Sequence, residues 1–308
     1  MAAPPAEPAS PSHTPPPPAR ASIYLALAGG IVCIGFSAIF VRFANTTGDV
    51  VGFFRLGIAA LALSIPAALN WQRGRARIPR RAIWLGLLGG LAFAIDIALW
   101  NTAVTKTSAS IATLMGNTAP VWVSLGAWLI FREKLRQTYW LGLAVAMGGA
   151  GLIMGLDALQ GLETNLGNLL ALLAGMAYAA YQLITKRARD QIDNLSYMWL
   201  FTTSGGLLLL IVSLALGHPL TDLPAKSYLA LLALGLFSHM GGWLLINYAV
   251  GRLDAALVSV TLLGQPIVTA LVALPILGEM PRTWHILGGL VTLIGIYIVH
   301  RSAANSRR

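Results

Sequence analysis

Ten apolar stretches, each long enough to cross a bilayer as a helix, occupy most of this chain. They fall at 22–43, 48–70, 82–104, 107–131, 138–156, 167–185, 195–217, 227–250, 254–278 and 284–300, each bounded by Gly, Pro or charge. A helix needs about 20 residues to span the hydrocarbon core. Lipid offers no partner to an unpaired backbone group, so such spans must be helical. Composition agrees: 56% of residues are hydrophobic and 10% charged, where a soluble domain carries about 25% charge. The expected fold class is an all-α membrane protein with ten transmembrane helices. The connections are short and leave no room for a separate soluble domain.

The ends differ from the middle. Eight of the 16 prolines lie in the first twenty residues. Such a segment cannot bury a core, so residues 1–21 are expected to be a disordered Pro-rich cytoplasmic tail. It lacks the basic start and short apolar core of a signal peptide. Residues 302–308 are expected to form a basic cytoplasmic tail. The single cysteine, Cys33, lies in an apolar run and permits no disulfide or cysteine metal site within one chain.

The net charge of +10 is a topology signal. Sixteen of the 21 basic residues fall on one side: Arg20; Arg73, Arg75, Arg77, Arg80 and Arg81; Arg132, Lys134 and Arg136; Lys186, Arg187 and Arg189; Arg252; Arg301, Arg307 and Arg308. Lys106, Lys226 and Arg282 lie in the opposite loops. The positive-inside rule places the rich side, with both termini, in the cytoplasm. No nucleic-acid role is needed to explain the charge. The expected location is the cytoplasmic (inner) membrane.

The sequence also repeats. Residues 101–154 align with 247–300 at a constant offset of 146, without a gap and with 14 identities. The informative matches are Asn101/Asn247, Pro120/Pro266, Glu133/Glu279 and Arg136/Arg282. The same offset places Leu27-Ala28-Gly29 on Leu173-Ala174-Gly175. Two five-helix repeats, 22–156 and 167–301, are therefore expected. Five is odd, so the second must be inverted relative to the first. Inverted repeats suit a secondary transporter, whose related halves can exchange outward-open and inward-open shapes.

These motifs carry a family resemblance. The repeated pattern runs from Ala112-Thr113-Leu114 to Pro120 and Phe131-Arg132-Glu133-Lys134-Leu135. Its second copy runs from Leu257-Val258-Ser259 to Pro266 and Leu277-Gly278-Glu279-Met280-Pro281. With Phe53-Phe54-Arg55-Leu56, the chain resembles EamA-type ten-helix members of the drug/metabolite transporter superfamily over residues 22–301. The resemblance implies a central cavity between the halves and alternating access. It also implies movement of small metabolites such as amino acids, often outward, and it does not choose among substrates.

Charge inside the membrane is costly, about 2.5–3.5 kcal/mol per residue, and marks function by default. Arg55 and Asp96 each lie roughly 10–12 Å below the outer face. They fit either a buried ion pair joining spans two and three, or a site in which Arg55 takes a carboxylate and Asp96 a proton. His239, in span eight, is a second coupling candidate because histidine titrates near physiological pH; the alternative is a hydrogen-bonded packing residue. Asn117 and Gln265 precede Pro120 and Pro266. A proline frees a carbonyl one turn earlier, so the two prolines are hinge candidates and the two amides cavity candidates, with simple kinks as the alternative. Tyr178, Tyr181 and Gln182 share a helical face, and Trp243 is deep enough to join them. Trp71 and Trp100 read as membrane-interface residues, and Asn101 and Asn247 as helix-end hydrogen-bonding residues. Gly86 with Gly90, and Gly151 with Gly155, have the spacing of close helix packing.

Together these readings point to a secondary active transporter, an exporter of a small metabolite (an amino acid or related compound), working by alternating access with proton coupling as an option. A facilitative channel-like permease without ion coupling is the alternative, followed by a non-transporting membrane assembly protein. Neither an enzyme nor a cofactor or metal is expected, since no catalytic or ligand constellation is present. The expected partners are the lipid bilayer and a small-molecule substrate. A monomer suffices to enclose a cavity, and a dimer is compatible.

Overall fold

The computed structural model describes residues 20–72, 78–104, 106–107, 109–154, 166–277 and 283–306. Among the described residues every regular element is a helix. We number them α1 (Arg20–Ala44), α2 (Gly48–Gln72), α3 (Arg80–Val104), α4 (Ile111–Phe131), α5 (Gln137–Met154), α6 (Leu166–Arg189), α7 (Asn194–Ala215), α8 (Ala225–Val250), α9 (Ala255–Ala273) and α10 (Thr283–Asn305). Nine of these are long and apolar enough to cross a membrane. The other, α5, has 18 residues and spans about 27 Å. The chain is an all-α, multi-pass membrane protein. Its surface fits: Leu25, Leu61, Ile65 and Leu229 stand out from the bundle, Leu61 being 76% exposed. Such side chains belong in hydrocarbon.

Several expectations fall outside the described residues: the tail through residue 19, the Arg73–Arg77 cluster, Gly155, Glu279 and Arg282. Arg20 already begins α1, and the last helix runs through Ser306, so most of the expected 302–308 tail is helical. The helix beginning at Gly48 is followed 146 residues later by one beginning at Asn194.

Glycine brings two helix pairs together. Added to Gly149, a Cβ would stand 2.7 Å from the Gly288 carbonyl; added to Gly288, it would stand 2.7 Å from the Gly149 carbonyl. These reciprocal contacts press α5 onto α10 backbone to backbone, the way small residues drive packing in lipid. Gly86 and Gly90 do the same between α3 and α7, against Leu200 and the Phe201 carbonyl. Gly151 does not: its added Cβ would meet only Leu114, at 3.5 Å.

Four spans are irregular. α1 bends at Phe36, between helices ending at Gly35 and starting at Ser37. The three carbonyls before the bend accept bonds from other helices: Cys33 from Ser238 (2.7 Å), Ile34 from Gln265 (3.4 Å) and Gly35 from Thr269 (2.9 Å). Those donors supply what the interrupted helix no longer can. α4 breaks at Asn117-Thr118, and α9 passes through a 3₁₀ turn at Leu262–Gly264, the place matching 116–118. Pro120 and Pro266 each sit in the first turn of the helix that resumes, where their missing N–H costs least. α8 widens into a π-helix over Leu234–Gly241.

At one end of the bundle a connection is clasped in place. The connection between α8 and α9 is held by side chains from three other elements. The Glu133 carboxylate accepts the N–H groups of Ala255 (2.9 Å) and Ala256 (3.4 Å), capping α9. The Tyr139 hydroxyl reaches the Ala256 carbonyl at 3.1 Å, and Lys186 reaches that of Leu253 at 2.8 Å.

Candidate functional site

A cavity of about 300 Å³ runs inward from the other end, a size within the small-ligand range. Val41, Gly48 and Asn101 line it at the ends of α1, α2 and α3; Gln182, Ser259 and Leu263 line it in the interior. It is therefore bounded by both halves of the chain.

Of the residues singled out by sequence, Arg55, Asp96, Asn117, Pro120, Tyr178, Gln182, Trp243 and Gln265 line this cavity. Two candidates do not. The Tyr181 ring is 1% exposed, and its hydroxyl donates to Asn247 Oδ1 at 3.2 Å. Successive helical residues turn by about 100°, so Tyr178 and Gln182 lie about 40° apart, while Tyr181 falls on the far side of Tyr178. The cavity takes the first two, and Tyr181 packs into the aromatic core, stacked on Phe201 at 5.0 Å. His239 is fully buried behind the wall. Pro266 also lies outside the lining.

Arg55 and Asp96 were open to two readings, an ion pair or a shared site. Among the described residues no ion pair within 4.0 Å joins them; the partner of Arg55 is His239, whose Nδ1 accepts from Arg55 Nε at 3.0 Å. The guanidinium also lies 5.5 Å over the Phe93 ring, a cation–π geometry. Arg55 is thus held by neutral groups, and Asp96 lines the same cavity.

Other lining groups await partners. Both amide atoms of Gln182, the Trp243 indole N–H and Asn101 Nδ2 are buried with no hydrogen-bond partner among the described residues. An unsatisfied buried polar group costs about 1–3 kcal/mol. Phe93, Trp100, Tyr178 and Trp243 add aromatic walls.

Two lining residues were placed elsewhere by sequence reasoning. Trp100 and Asn101, expected at an interface and a helix end, both line the cavity. The signal lay in Gly48: a Cβ there would collide with the Asn101 amide, so the glycine exists to admit that side chain. Asn247 behaves as expected, 1% exposed and bonded to Tyr181 and Met198.

A many-helix membrane bundle with an interior cavity that carries polar and charged side chains among apolar ones has the build of a membrane transporter. The chain belongs to the EamA-like transporter family, whose model matches it twice, at residues 21–155 and 165–301. It is 26% identical over 268 residues to the uncharacterized transporter YdfC of Bacillus subtilis (strain 168), covering 87% of this chain and 86% of that one. It is 29% identical over 256 residues to a "Probable terminal-alkyne amino-acid exporter" of Streptantibioticus cattleyicolor, covering 82% and 84%. A crystal structure at 18% identity superposes with a TM-score of 0.79 over 94% of this chain and 100% of the other. That likeness establishes the fold.

Proposed function

We propose that this transporter is a secondary active exporter of amino acids with bulky apolar or aromatic side chains, working by alternating access across the cytoplasmic membrane. Ten spans form two inverted five-helix repeats, with both termini in the cytoplasm. The matching starts of the helices at Gly48 and Asn194, the matched breaks before Pro120 and Pro266, and the reciprocal contacts of Gly149 and Gly288 support that plan. With the basic loops inside, the cavity mouth at Gly48 and Asn101 faces outward and the Glu133 clasp closes the inner side.

The observation that carries the reading is a guanidinium and a carboxyl group lining one cavity with no ion pair within 4.0 Å between them. An α-amino acid presents a carboxylate and an ammonium a few bonds apart. Arg55 offers a fork suited to the carboxylate, and Asp96 offers an acceptor for the ammonium. Gln182 and the Trp243 N–H complete the polar contacts, and the aromatic walls take the side chain. Asp96 holds either a proton or the ammonium, so one carboxylate links the two fluxes and makes it the coupling residue. The inner clasp favours a carrier over an open pore. The name of the Streptantibioticus relative, an exporter of an amino acid, agrees.

The test is counterflow in proteoliposomes with the twenty amino acids, with and without a pH gradient. The reading expects exchange of bulky apolar and aromatic amino acids, accelerated by the gradient. Absence of any amino-acid exchange overturns it. Cysteines placed at Arg136 and Arg282 should be labelled from opposite sides of the membrane; labelling from one side contradicts the inverted repeat.

A further inference from the structure

We infer that His239 is the positioning residue of the site: a fixed lone pair on its Nδ1 orients Arg55 so that the terminal guanidinium nitrogens face the substrate carboxylate. This rests on the reading of Arg55 given above and extends it to a residue outside the cavity.

Arginine Nε is only ever a donor. At 3.0 Å from it, His239 Nδ1 must carry a lone pair, so the ring proton sits on Nε2. That Nε2 is buried with no hydrogen-bond partner among the described residues. The ring is thus oriented to serve Arg55 at the expense of its own donor. Two rings that touch each other pack against it: His239 stacks on Phe201 at 5.6 Å and lies 5.7 Å from Phe93. Phe93 in turn lies under the guanidinium.

The backbone is built for this contact. His239 sits in the π-helical stretch Leu234–Gly241 of α8. Such wide turns are rare in helices and concentrate at functional sites. Within it, a Cβ on Gly235 would stand 2.8 Å from Ile58 Cβ and 3.4 Å from the Arg55 carbonyl. Glycine therefore lets α8 approach α2 at the level of Arg55, and the wide turn sets the direction of the imidazole. An Arg side chain has many rotamers, and holding it by Nε removes most of that freedom before substrate arrives. Binding then loses less entropy, while the two terminal nitrogens stay available as a bidentate fork.

The experiment measures L-phenylalanine counterflow in proteoliposomes of the full chain. His239→Phe removes the acceptor and keeps a ring; His239→Asn restores an acceptor, its Oδ1, near the Nδ1 place. We expect H239F to raise KM about tenfold with maximal rate within about twofold, and H239N to stay within about threefold of the unmodified protein. Arg55→Gln should raise KM further, and R55Q/H239F should be no worse than R55Q, because His239 acts through Arg55. Thermal unfolding in detergent checks that each variant is folded, and His239→Leu replaces H239F if the larger ring disrupts packing. An unchanged KM in the acceptor-free variant, equal damage from H239N, or a further loss in the R55Q background overturns the inference. If R55Q itself leaves KM unchanged, or the unmodified protein does not exchange L-phenylalanine, the amino-acid reading falls first and His239 with it.

Discussion

In the first half of the chain the Arg55 guanidinium lies 5.5 Å over the Phe93 ring. At the places 146 residues further on, Phe201 stacks at 5.6 Å on His239. The two pairs touch each other: Arg55 bonds His239, and Phe93 meets Phe201 edge-on at 5.2 Å. The geometry of the second half thus repeats that of the first while its chemistry differs. One half supplies the cation, and the other supplies the acceptor that holds it. Asp96 tells the same story, since the matching place carries Gly242, packed against Gly30 and Ile34 of α1. Asn101 lines the cavity, whereas Asn247 is committed to Tyr181 and Met198. A duplicated scaffold suits the proposed exchange of shapes, and a single copy of each charged residue suits the proposed single site.

That contrast can be broken by restoring symmetry. Gly242→Asp would copy Asp96 into the second half. A Cβ there would stand 2.9 Å from Ile34 and 3.3 Å from the Gly30 carbonyl, and the carboxylate would have no cavity to face. The expected cost is at least about 3 kcal/mol, seen as loss of a folded, monodisperse protein in detergent. A well-folded G242D would show that the halves differ by history and not by packing.

Removing the existing charge has a smaller, functional effect. Asp96→Asn should abolish the response to a pH gradient and raise KM for L-phenylalanine about tenfold, with folding retained. Unchanged proton dependence in proteoliposomes would remove Asp96 from coupling.

The two prolines sharpen the comparison further. Pro120 lines the cavity and Pro266 does not, yet both follow a break in the same place. Pro266→Ala restores a donor and should slow turnover severalfold with the unfolding temperature nearly unchanged. Normal turnover would reject a hinge at α9.

The weakest effect is expected at the inner clasp. Burial holds the Glu133 carboxyl above its ordinary value, with Asp254 adding to the rise; the Ala255 and Ala256 N–H groups and Lys186 oppose it. An acid whose value is raised on folding binds its proton more tightly when folded. Its contribution is present below the unfolded value and is lost as pH rises through the raised one. Apparent unfolding temperature should therefore decline slightly across that window, and Glu133→Gln should flatten the decline. An identical slope in E133Q would assign the dependence elsewhere.

Much of this organisation is legible in sequence because lipid leaves few choices. Span lengths and the 146-residue offset follow from apolar runs and from polar identities such as Asn101/Asn247. Arg55, Asp96, Gln182 and Trp243 are recognisable because polar groups at depth need a reason. The partner of Arg55 was hidden, since its bond to His239 joins residues 184 apart and depends on how α8 is turned. The π-helical segment that turns it leaves no signature in apolar periodicity. Tyr181 differs from Tyr178 by a rotation that residue spacing alone does not resolve. The bend at Phe36 has no proline to announce it; it shows only once the donors Ser238, Gln265 and Thr269 are seen on its carbonyls.

The most direct test asks whether one molecule must satisfy both charges. Phenethylamine and 3-phenylpropionate each keep the aromatic side chain of L-phenylalanine and one of its two charged groups. In competition against L-phenylalanine counterflow, both should inhibit at least about tenfold more weakly than unlabelled L-phenylalanine, each leaving Arg55 or Asp96 unanswered. Equal inhibition by either analogue would contradict a site built from the separated pair.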